Sequence, residues 1–400
     1  MFPVIPHHAM KDVPRTVQVF QYDTSATAGR QPLLIVPGRN DERYRYFHMQ
    51  KICRYLHDDP RFRQRYKIFL FRYNTMAPEK TIENQFQVAI RELSKNQGRP
   101  LTIVAPSIAG NRVRNAMAYP LVDLSVAKLI TLGSPFHGTP LLSRDWMRYS
   151  LLSHHAWPVR LVRSAAFSVF FKRNSYLLQN YYWDDFDGQE PTIGAHEAGL
   201  HSRVGETVVL PNMPPGGSAG APWHKVIAYA GYIENKQTGK VAAKKKLPVL
   251  NRLAFLFGTT FPAYFGRQHP MLRYLNNEIA RVPVNDQARR DYAFNDGIVP
   301  ISSSLSFSSA GPTEAPLGSA DWFQQIKTKV GVRRARLFPN IDHVTFMYGT
   351  GPSGRNVDLP DKLSPEEKPR PIFAWLLSDI LDSADEQFTA STATSAESAR

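Results

Sequence analysis

The segment at residues 101–110 restricts the fold of this chain more than any other part of the sequence. It reads Leu-Thr-Ile-Val-Ala-Pro-Ser-Ile-Ala-Gly, so an apolar and β-branched run ends at Ser107 and a helical pattern follows at once. A buried strand that brings a serine onto a sharp turn, with the next helix pointing its N-terminus at the same place, is the layout of a nucleophile elbow. Such a turn needs small residues two positions before and two positions after the serine. Ala105 and Ala109, with Gly110 next, stand there in place of the usual glycines.

Strand and helix patterns alternate along the chain. Apolar strands are predicted at 16–22, 32–36, 66–73, 101–105, 126–132, 225–233 and 334–339, and helices at 42–57, 81–95, 109–118 and 371–382. Strands that are apolar throughout are typical of a parallel sheet covered by helices on both faces, which makes the fold class α/β. Gly38, Ser107 and Gly133 each follow a predicted strand. We therefore expect them along the carboxyl edge of the sheet, where ligands bind in such folds.

Two long insertions interrupt the alternation. The first, at about 141–222, is helical and aromatic and then loop-like, and the second, at about 236–290, carries three lysines at 244–246 and an aromatic run. We interpret residues 1–382 as one domain in which these insertions form helical caps. Residues 383–400 are rich in Ser, Thr and Ala, which predicts a disordered tail.

Charge and cysteine content narrow the classes of partner and cofactor. Lys and Arg number 49 against 34 Asp and Glu, a net charge of +15, which favours either anionic partners or a basic solubilising surface. No nucleic-acid-binding motif accompanies this charge, so no nucleic-acid partner is expected. The single cysteine, Cys53, excludes an internal disulfide. The histidine pairs at 7–8 and 154–155 lack metal-ligand spacing to other residues, and we predict no metal and no cofactor.

The hydropathy pattern bears on location. The sequence contains no run of 18 or more uninterrupted apolar residues, which argues against a transmembrane helix. Residues 1–16 contain no continuous apolar stretch of the kind found in secretory signal peptides. We expect a cytoplasmic location, with export by a signal-independent route left open.

Four segments carry a resemblance to a known family. They are the elbow around Ser107, Leu-Ile-Thr-Leu-Gly-Ser-Pro-Phe-His-Gly-Thr-Pro at 129–140, Asn-Asp-Gly-Ile-Val-Pro at 295–300 and Asn-Ile-Asp-His-Val-Thr-Phe at 340–346. Through them the chain resembles the α/β-hydrolase superfamily, and within it the bacterial lipases and PGAP1-like serine esterases. The resemblance implies the α/β-hydrolase fold, a mostly parallel central sheet with helices on both faces and helical caps. The family order of serine, acid and histidine implies a catalytic triad of Ser107, Asp296 and His343.

The chemistry of acyl transfer asks for these residue types independently of the resemblance. A serine hydroxyl is a weak nucleophile until a positioned imidazole takes its proton, and the imidazole needs a carboxylate to hold its tautomer. Asp296 stands in Asn-Asp-Gly, a tight turn, with the apolar Ile-Val-Pro behind it. Asp286, Asp291 and Asp342 are alternative acids that lack this turn and this apolar backing. Asp342 adjoins His343 in the sequence, which normally points the two side chains apart.

An oxyanion hole is expected from the same geometry. Two backbone N–H groups must point at the oxygen on which negative charge develops. One donor is predicted at Ile108, the residue after the serine. The other is predicted at Arg39, in the loop after the strand at 32–36, where Val-Pro-Gly-Arg replaces the His-Gly pair more frequent in the family.

Two segments of the insertions bear on the substrate. Residues 159–182 combine an apolar helical face with nearby Arg and Lys, and the aromatic run at 253–266 follows the three lysines. Such cationic amphipathic segments are typical of lids that contact lipid, although a cap helix with a solvated basic face has the same pattern. We predict a serine carboxylic-ester hydrolase of lipase, esterase or phospholipase type, with ester or lipid substrates and peripheral contact with anionic membranes. The alternatives are an acyltransferase or thioesterase on the same triad, or a catalytically silent hydrolase fold used for binding.

Overall fold

The computed structural model of the chain describes residues 16–22, 29–38, 47–75, 77, 79–136, 138, 222–232, 296, 298–306, 330, 332–339, 341, 343, 346, 355–357 and 371–382. Apart from Pro222, the predicted cap insertions lie outside these residues, as does the predicted tail at 383–400. The domain boundaries therefore stay predictions.

The described strands form one mostly parallel sheet. They are β1 (Gln18–Gln21), β2 (Gln31–Ile35), β3 (Tyr66–Arg72), β4 (Leu101–Pro106), β5 (Val126–Leu132), β6 (Val226–Tyr232), β7 (Arg334–Pro339) and β8 (Arg355–Val357). Their order across the sheet is β1-β3-β2-β4-β5-β6-β7-β8. The outer strands β1 and β8 are antiparallel to their neighbours, and all pairings between β3 and β7 are parallel. The carboxyl ends of the parallel strands therefore share one edge, with β4 near its centre.

Helices cover both faces of this sheet. They are α1 (Phe47–Asp58), α2 (Pro60–Arg65), α3 (Glu79–Gln97), α4 (Ile108–Met117), α5 (Pro120–Leu124), α6 (Ile301–Ser304) and α7 (Ile372–Leu381), with a short 3₁₀ helix at Pro222–Lys225. Successive residues of β4 point to opposite sides: Ile103 and Ala105 pack in the core beneath α3 and α4, whereas Val104 packs in the core beneath α1 and α7. Burial on both sides is the physical reason why β4 is almost entirely apolar.

The sequence did not predict the short helices α2 and α5, and both begin at a proline. Helix α2 begins at Pro60 after Asp59, whose carboxylate accepts hydrogen bonds from the N–H groups of Arg61 and Phe62 at 2.8 and 3.2 Å. Helix α5 begins at Pro120, where the sequence predicted only the end of the preceding helix. Proline suits the first helical position because its missing N–H has no partner there anyway.

A buried polar cluster fixes α7 to the sheet. The Asp379 carboxylate accepts hydrogen bonds from the Tyr229 hydroxyl and from Arg336 Nε, the latter at 2.6 Å, and Lys128 Nζ donates to the Asp379 carbonyl. The Arg336 guanidinium also lies 3.7 Å from the centre of the Trp375 ring. Burial and then the Asp379 charge raise the pKa of Tyr229 well above its ordinary value. These hydrogen bonds tie α7 to β5, β6 and β7.

Candidate active site

Ser107 lies on the turn between β4 and α4 in a strained backbone conformation. Its φ is 52° and its ψ is −135°, a region that side-chain-bearing residues rarely occupy. The Ser107 N–H donates to the Leu132 carbonyl at the end of β5, at 2.9 Å, which helps to hold the turn. Strain of this kind persists only where the surroundings enforce it, and it is concentrated at functional sites. The strand, sharp turn and helix predicted for this segment are confirmed.

The tightest packing of the elbow falls at Gly110, one position later than the sequence suggested. Ala105 and Ala109 are fully buried, so small side chains do fit two positions on either side of Ser107. At Gly110, however, a Cβ atom would come within 2.0 Å of Ser134 Oγ and 2.9 Å of Thr131 Cγ2. Glycine is therefore required here because the first turn of α4 contacts the end of β5.

Asp296 is held by a turn of its own backbone. Its Oδ1 accepts hydrogen bonds from the N–H groups of Ile298 and Val299 at 2.9 and 2.7 Å, and its side chain has no exposed surface. These contacts are those of the Asn-Asp-Gly turn that the sequence predicted. They leave Oδ2 directed at His343.

His343 joins the serine to the aspartate. Its Nδ1 lies 2.7 Å from Asp296 Oδ2 and its Nε2 lies 2.9 Å from Ser107 Oγ. A carboxylate can only accept, so Nδ1 carries the proton and Nε2 accepts the hydrogen bond of the serine hydroxyl. The His343 N–H also donates to the Asp296 carbonyl at 2.9 Å, which ties the two loops together through the backbone. The structure thus brings together the three side chains that the sequence proposed as a triad.

Gly133 and Gly231 let the backbone lie close to the loops that carry Asp296 and His343, a role that the sequence did not predict. Gly133 has a φ of +61°, and a Cβ there would lie 3.0 Å from Asp296 Oδ2 and 3.1 Å from His343 Nδ1. Gly231 in β6 would bring a Cβ within 2.7 Å of the Ile341 carbonyl, two residues before His343. Both glycines therefore act by letting backbone approach closely, which a sequence alone signals only as a glycine after or within a strand.

The predicted oxyanion hole is described in part. Ile108 is the first residue of α4 and directly follows Ser107, as the elbow requires. Arg39 lies outside the described residues, but the preceding Pro37 and Gly38 are buried and follow β2 at the same edge of the sheet. The alternative acids Asp286, Asp291 and Asp342 and the cap segments at 159–182 and 253–266 also lie outside the described residues.

Two further observations concern ligands and membranes. Among the described residues, no group of three or more His, Cys, Asp or Glu side chains could hold a metal ion. Within the same ranges, no helix combines the length and the apolar character needed to cross a bilayer.

No protein-family model matches the chain, and no curated protein matches its sequence. Solved structures do match. The mature lipase BlEst2 of Bacillus licheniformis is 13% identical, with 84% of this chain and 94% of that chain covered at a TM-score of 0.41. The metagenomic carboxyl esterase MGS0156 is 14% identical, with 89% and 77% covered at a TM-score of 0.36. An α/β hydrolase from Sphaerobacter thermophilus is 12% identical, with 64% and 91% covered at a TM-score of 0.27.

The fold is assigned on the geometry of this chain itself. A mostly parallel sheet carries the serine on a strained strand-to-helix turn near its centre, and the acid and the histidine follow in that chain order, with the histidine after β7. The narrower grouping with bacterial lipases and PGAP1-like esterases stays a prediction. The predicted fold class is confirmed: the chain has the α/β-hydrolase fold.

Proposed function

We propose that the protein is a serine carboxylic-ester hydrolase that works through an acyl-serine intermediate. The observation that carries this proposal is the hydrogen-bonded line from Ser107 Oγ to His343 Nε2 at 2.9 Å, and from His343 Nδ1 to Asp296 Oδ2 at 2.7 Å. The strained φ of Ser107 supports it further, because a silent binding protein has no need of a serine held in that conformation. In this proposal Ser107 is the nucleophile, His343 the general base and acid, and Asp296 the residue that orients His343.

In the first half-reaction, Ser107 Oγ attacks the carbonyl carbon of the ester while His343 Nε2 takes the hydroxyl proton. The carbonyl oxygen becomes an oxyanion, stabilised by the backbone N–H groups of Ile108 and Arg39. As the carbonyl re-forms, the bond to the leaving oxygen breaks, and His343 returns the proton to it. The alcohol departs and the acyl group stays on Ser107.

The second half-reaction repeats these steps with water. The water oxygen attacks the acyl carbon while His343 Nε2 takes one of the protons of the water. His343 then gives that proton to Ser107 Oγ as the bond between Oγ and the acyl carbon breaks. The carboxylic acid is released and the serine hydroxyl is restored. The carboxylate of Asp296 accepts the hydrogen bond from His343 Nδ1 and keeps the Nδ1–H tautomer throughout.

Ser107→Ala tests the proposal directly. We expect this variant to lose hydrolysis of a p-nitrophenyl ester by several orders of magnitude and to lose labelling by a fluorophosphonate probe. Its thermal unfolding should match that of the wild type, because only one hydroxyl is removed. Ser303→Ala is a matched control, since its buried hydroxyl donates to the Gly138 carbonyl at 2.7 Å and takes no part in the proposed chemistry. Activity of Ser107→Ala within about tenfold of the wild type would contradict the assignment.

We extend the proposal to lipid esters on the evidence of the sequence alone. The cationic segment at 159–182 would act as a lid that attracts anionic membrane, each basic residue near the surface adding about 1 kcal/mol at modest ionic strength. The test is a variant with glutamine at Arg160, Arg163, Lys172 and Arg173. It should bind anionic vesicles less tightly and hydrolyse dispersed lipid more slowly, while turnover of a short soluble ester is kept. Equal loss of both activities, or loss of neither, would remove the lipid preference and leave an esterase.

A further inference from the structure

Asn111 connects the helix of the candidate nucleophile to the loop that follows β5. It lies in α4, four residues after Ser107, and its Nδ2 donates a hydrogen bond to the Pro135 carbonyl at 2.6 Å. Both Asn111 and Pro135 are buried. The β5 loop, residues 133–136, is therefore held to α4 by a side-chain hydrogen bond as well as by packing.

The same loop lies against the acid and the base of the candidate triad. A Cβ atom on Gly133 would lie 3.0 Å from Asp296 Oδ2 and 3.1 Å from His343 Nδ1, the two atoms that are hydrogen-bonded to each other. The Gly133 N–H also donates to the Tyr229 carbonyl in β6, at 2.8 Å. The position of this backbone therefore limits where Asp296 and His343 can lie.

The chain between Pro135 and Gly133 has little freedom to absorb a shift. The ring of Pro135 fixes its own φ, and the residue before a proline, here Ser134, is restricted largely to extended conformations. The Ser134 carbonyl accepts a hydrogen bond from the Phe136 N–H at 3.0 Å, and the buried Ser134 side chain packs against Gly110 in α4. A displacement of Pro135 is therefore passed on to Gly133.

The stability of the fold does not account for the amide at position 111. The Pro135 carbonyl also accepts from the Gly138 N–H, at 3.0 Å, so it has a partner without Asn111. The other end of the amide, Asn111 Oδ1, is buried and has no hydrogen-bond partner in the described part of the chain. A buried polar atom without a partner is destabilising, and leucine has a similar size and shape without that atom. What the amide adds is a fixed separation between α4 and the β5 loop.

We propose that Asn111 is a positioning residue for the triad, which holds the α4 end at Ser107 in register with the backbone that borders Asp296 and His343. This inference rests on the proposed ester hydrolysis and assigns to it a residue outside the triad and the oxyanion hole. Proton transfer needs His343 Nε2 within hydrogen-bond reach of Ser107 Oγ, from which it lies 2.9 Å away. Misplacement of such groups by about 1 Å costs up to about 100-fold in rate.

Asn111→Leu is the central variant. Its urea midpoint should equal or exceed that of the wild type, because the unpartnered Oδ1 is removed and the Pro135 carbonyl keeps the Gly138 N–H. Its kcat for a p-nitrophenyl ester should nevertheless fall about tenfold with KM little changed, because the serine and the imidazole lose their register while substrate binding is kept. Labelling by a fluorophosphonate should slow by a similar factor.

Asn115→Leu is the matched control. Asn115 lies one turn further along α4, is also buried, and has an Oδ1 that likewise lacks a hydrogen-bond partner among the described residues. Within the same residues, no hydrogen bond joins its side chain to the β5 loop. The kcat of this variant should stay at the wild-type value, whether or not its urea midpoint changes.

Asn111→Ala removes the same donor without adding an apolar group of equal size, and it should show the same loss of kcat if Asn111→Leu does not fold. Wild-type kcat in a folded Asn111 variant, equal loss of kcat in Asn111→Leu and Asn115→Leu, a change confined to KM, or failure of both Asn111 variants to fold would each overturn the positioning role. A wild-type protein that neither hydrolyses the ester nor reacts with a fluorophosphonate would overturn the proposed function itself, and this inference with it.

Discussion

The backbone of Gly133 lies so close to Asp296 and His343 that a side chain there should disturb the triad, and Gly98 offers a matched control. Gly133 and Gly98 have nearly the same φ, +61° and +64°, which costs any other residue about 1–2 kcal/mol. A Cβ at Gly98 would meet nothing within 4 Å, whereas at Gly133 it would meet Asp296 Oδ2 at 3.0 Å and His343 Nδ1 at 3.1 Å. The Asp–His pair would have to move by a few tenths of an ångström to accommodate it.

Two measurements separate the backbone cost from the effect on the site. Urea unfolding should show a loss of about 1–2 kcal/mol in Gly98→Ala and a larger loss in Gly133→Ala. Steady-state hydrolysis of a p-nitrophenyl ester should be unchanged in Gly98→Ala and about tenfold slower in Gly133→Ala, since a displacement of 1 Å can cost about 100-fold. Wild-type kcat in a folded Gly133→Ala protein would refute the view that this backbone limits the position of the Asp–His pair.

Two further predictions concern the acid and the buried tyrosine of the α7 cluster. Asp296→Asn should lower kcat for a p-nitrophenyl ester by about 10³- to 10⁴-fold, because it disfavours the Nδ1–H tautomer of His343. Asp342→Asn should change kcat little. If Asp342→Asn had the larger effect, the assignment of Asp296 as the acid would be wrong. Because the folded pKa of Tyr229 is raised, its contribution to stability is complete below about pH 10 and is lost as the pH rises through the folded value. Above pH 10 the free energy of unfolding, measured in urea, should therefore fall less steeply with pH in Tyr229→Phe than in the wild type. The difference in slope should be up to about 1.4 kcal/mol per pH unit, and identical slopes would contradict this.

The sequence predicted those parts of the fold that depend on local pattern. Strands β5 and β7 have the predicted bounds. In β5 the run is mostly apolar and buried on both faces, which leaves little choice of element. Helix α2 was missed although Asp59 followed by Pro60 is a recognisable helix start, since the following residues are mostly polar.

The support of the candidate site could not be predicted in the same way. The roles of Gly133 and Gly231 come from contacts with remote segments, and a glycine after or within a strand is compatible with an ordinary turn or strand position. A glycine after a strand signals a turn, but not that Asp296 and His343 will lie against it. The triad could be predicted from the sequence, because the motifs of the family give both the residue types and their order along the chain. The second oxyanion donor at Arg39 stays a prediction.

The wide separation of the triad residues in the chain has a consequence for how this protein is made. Ser107 and His343 are 236 positions apart, and β5 and β6 lie between the strands that precede them. The imidazole can reach the serine only after these strands have paired, and contacts of such long range form late in folding. The proposed nucleophile would then stay unreactive in every partly assembled form of the chain, so that a half-folded polypeptide could not attack esters around it. The onset of fluorophosphonate reactivity during refolding would correspondingly mark the moment at which the sheet is complete.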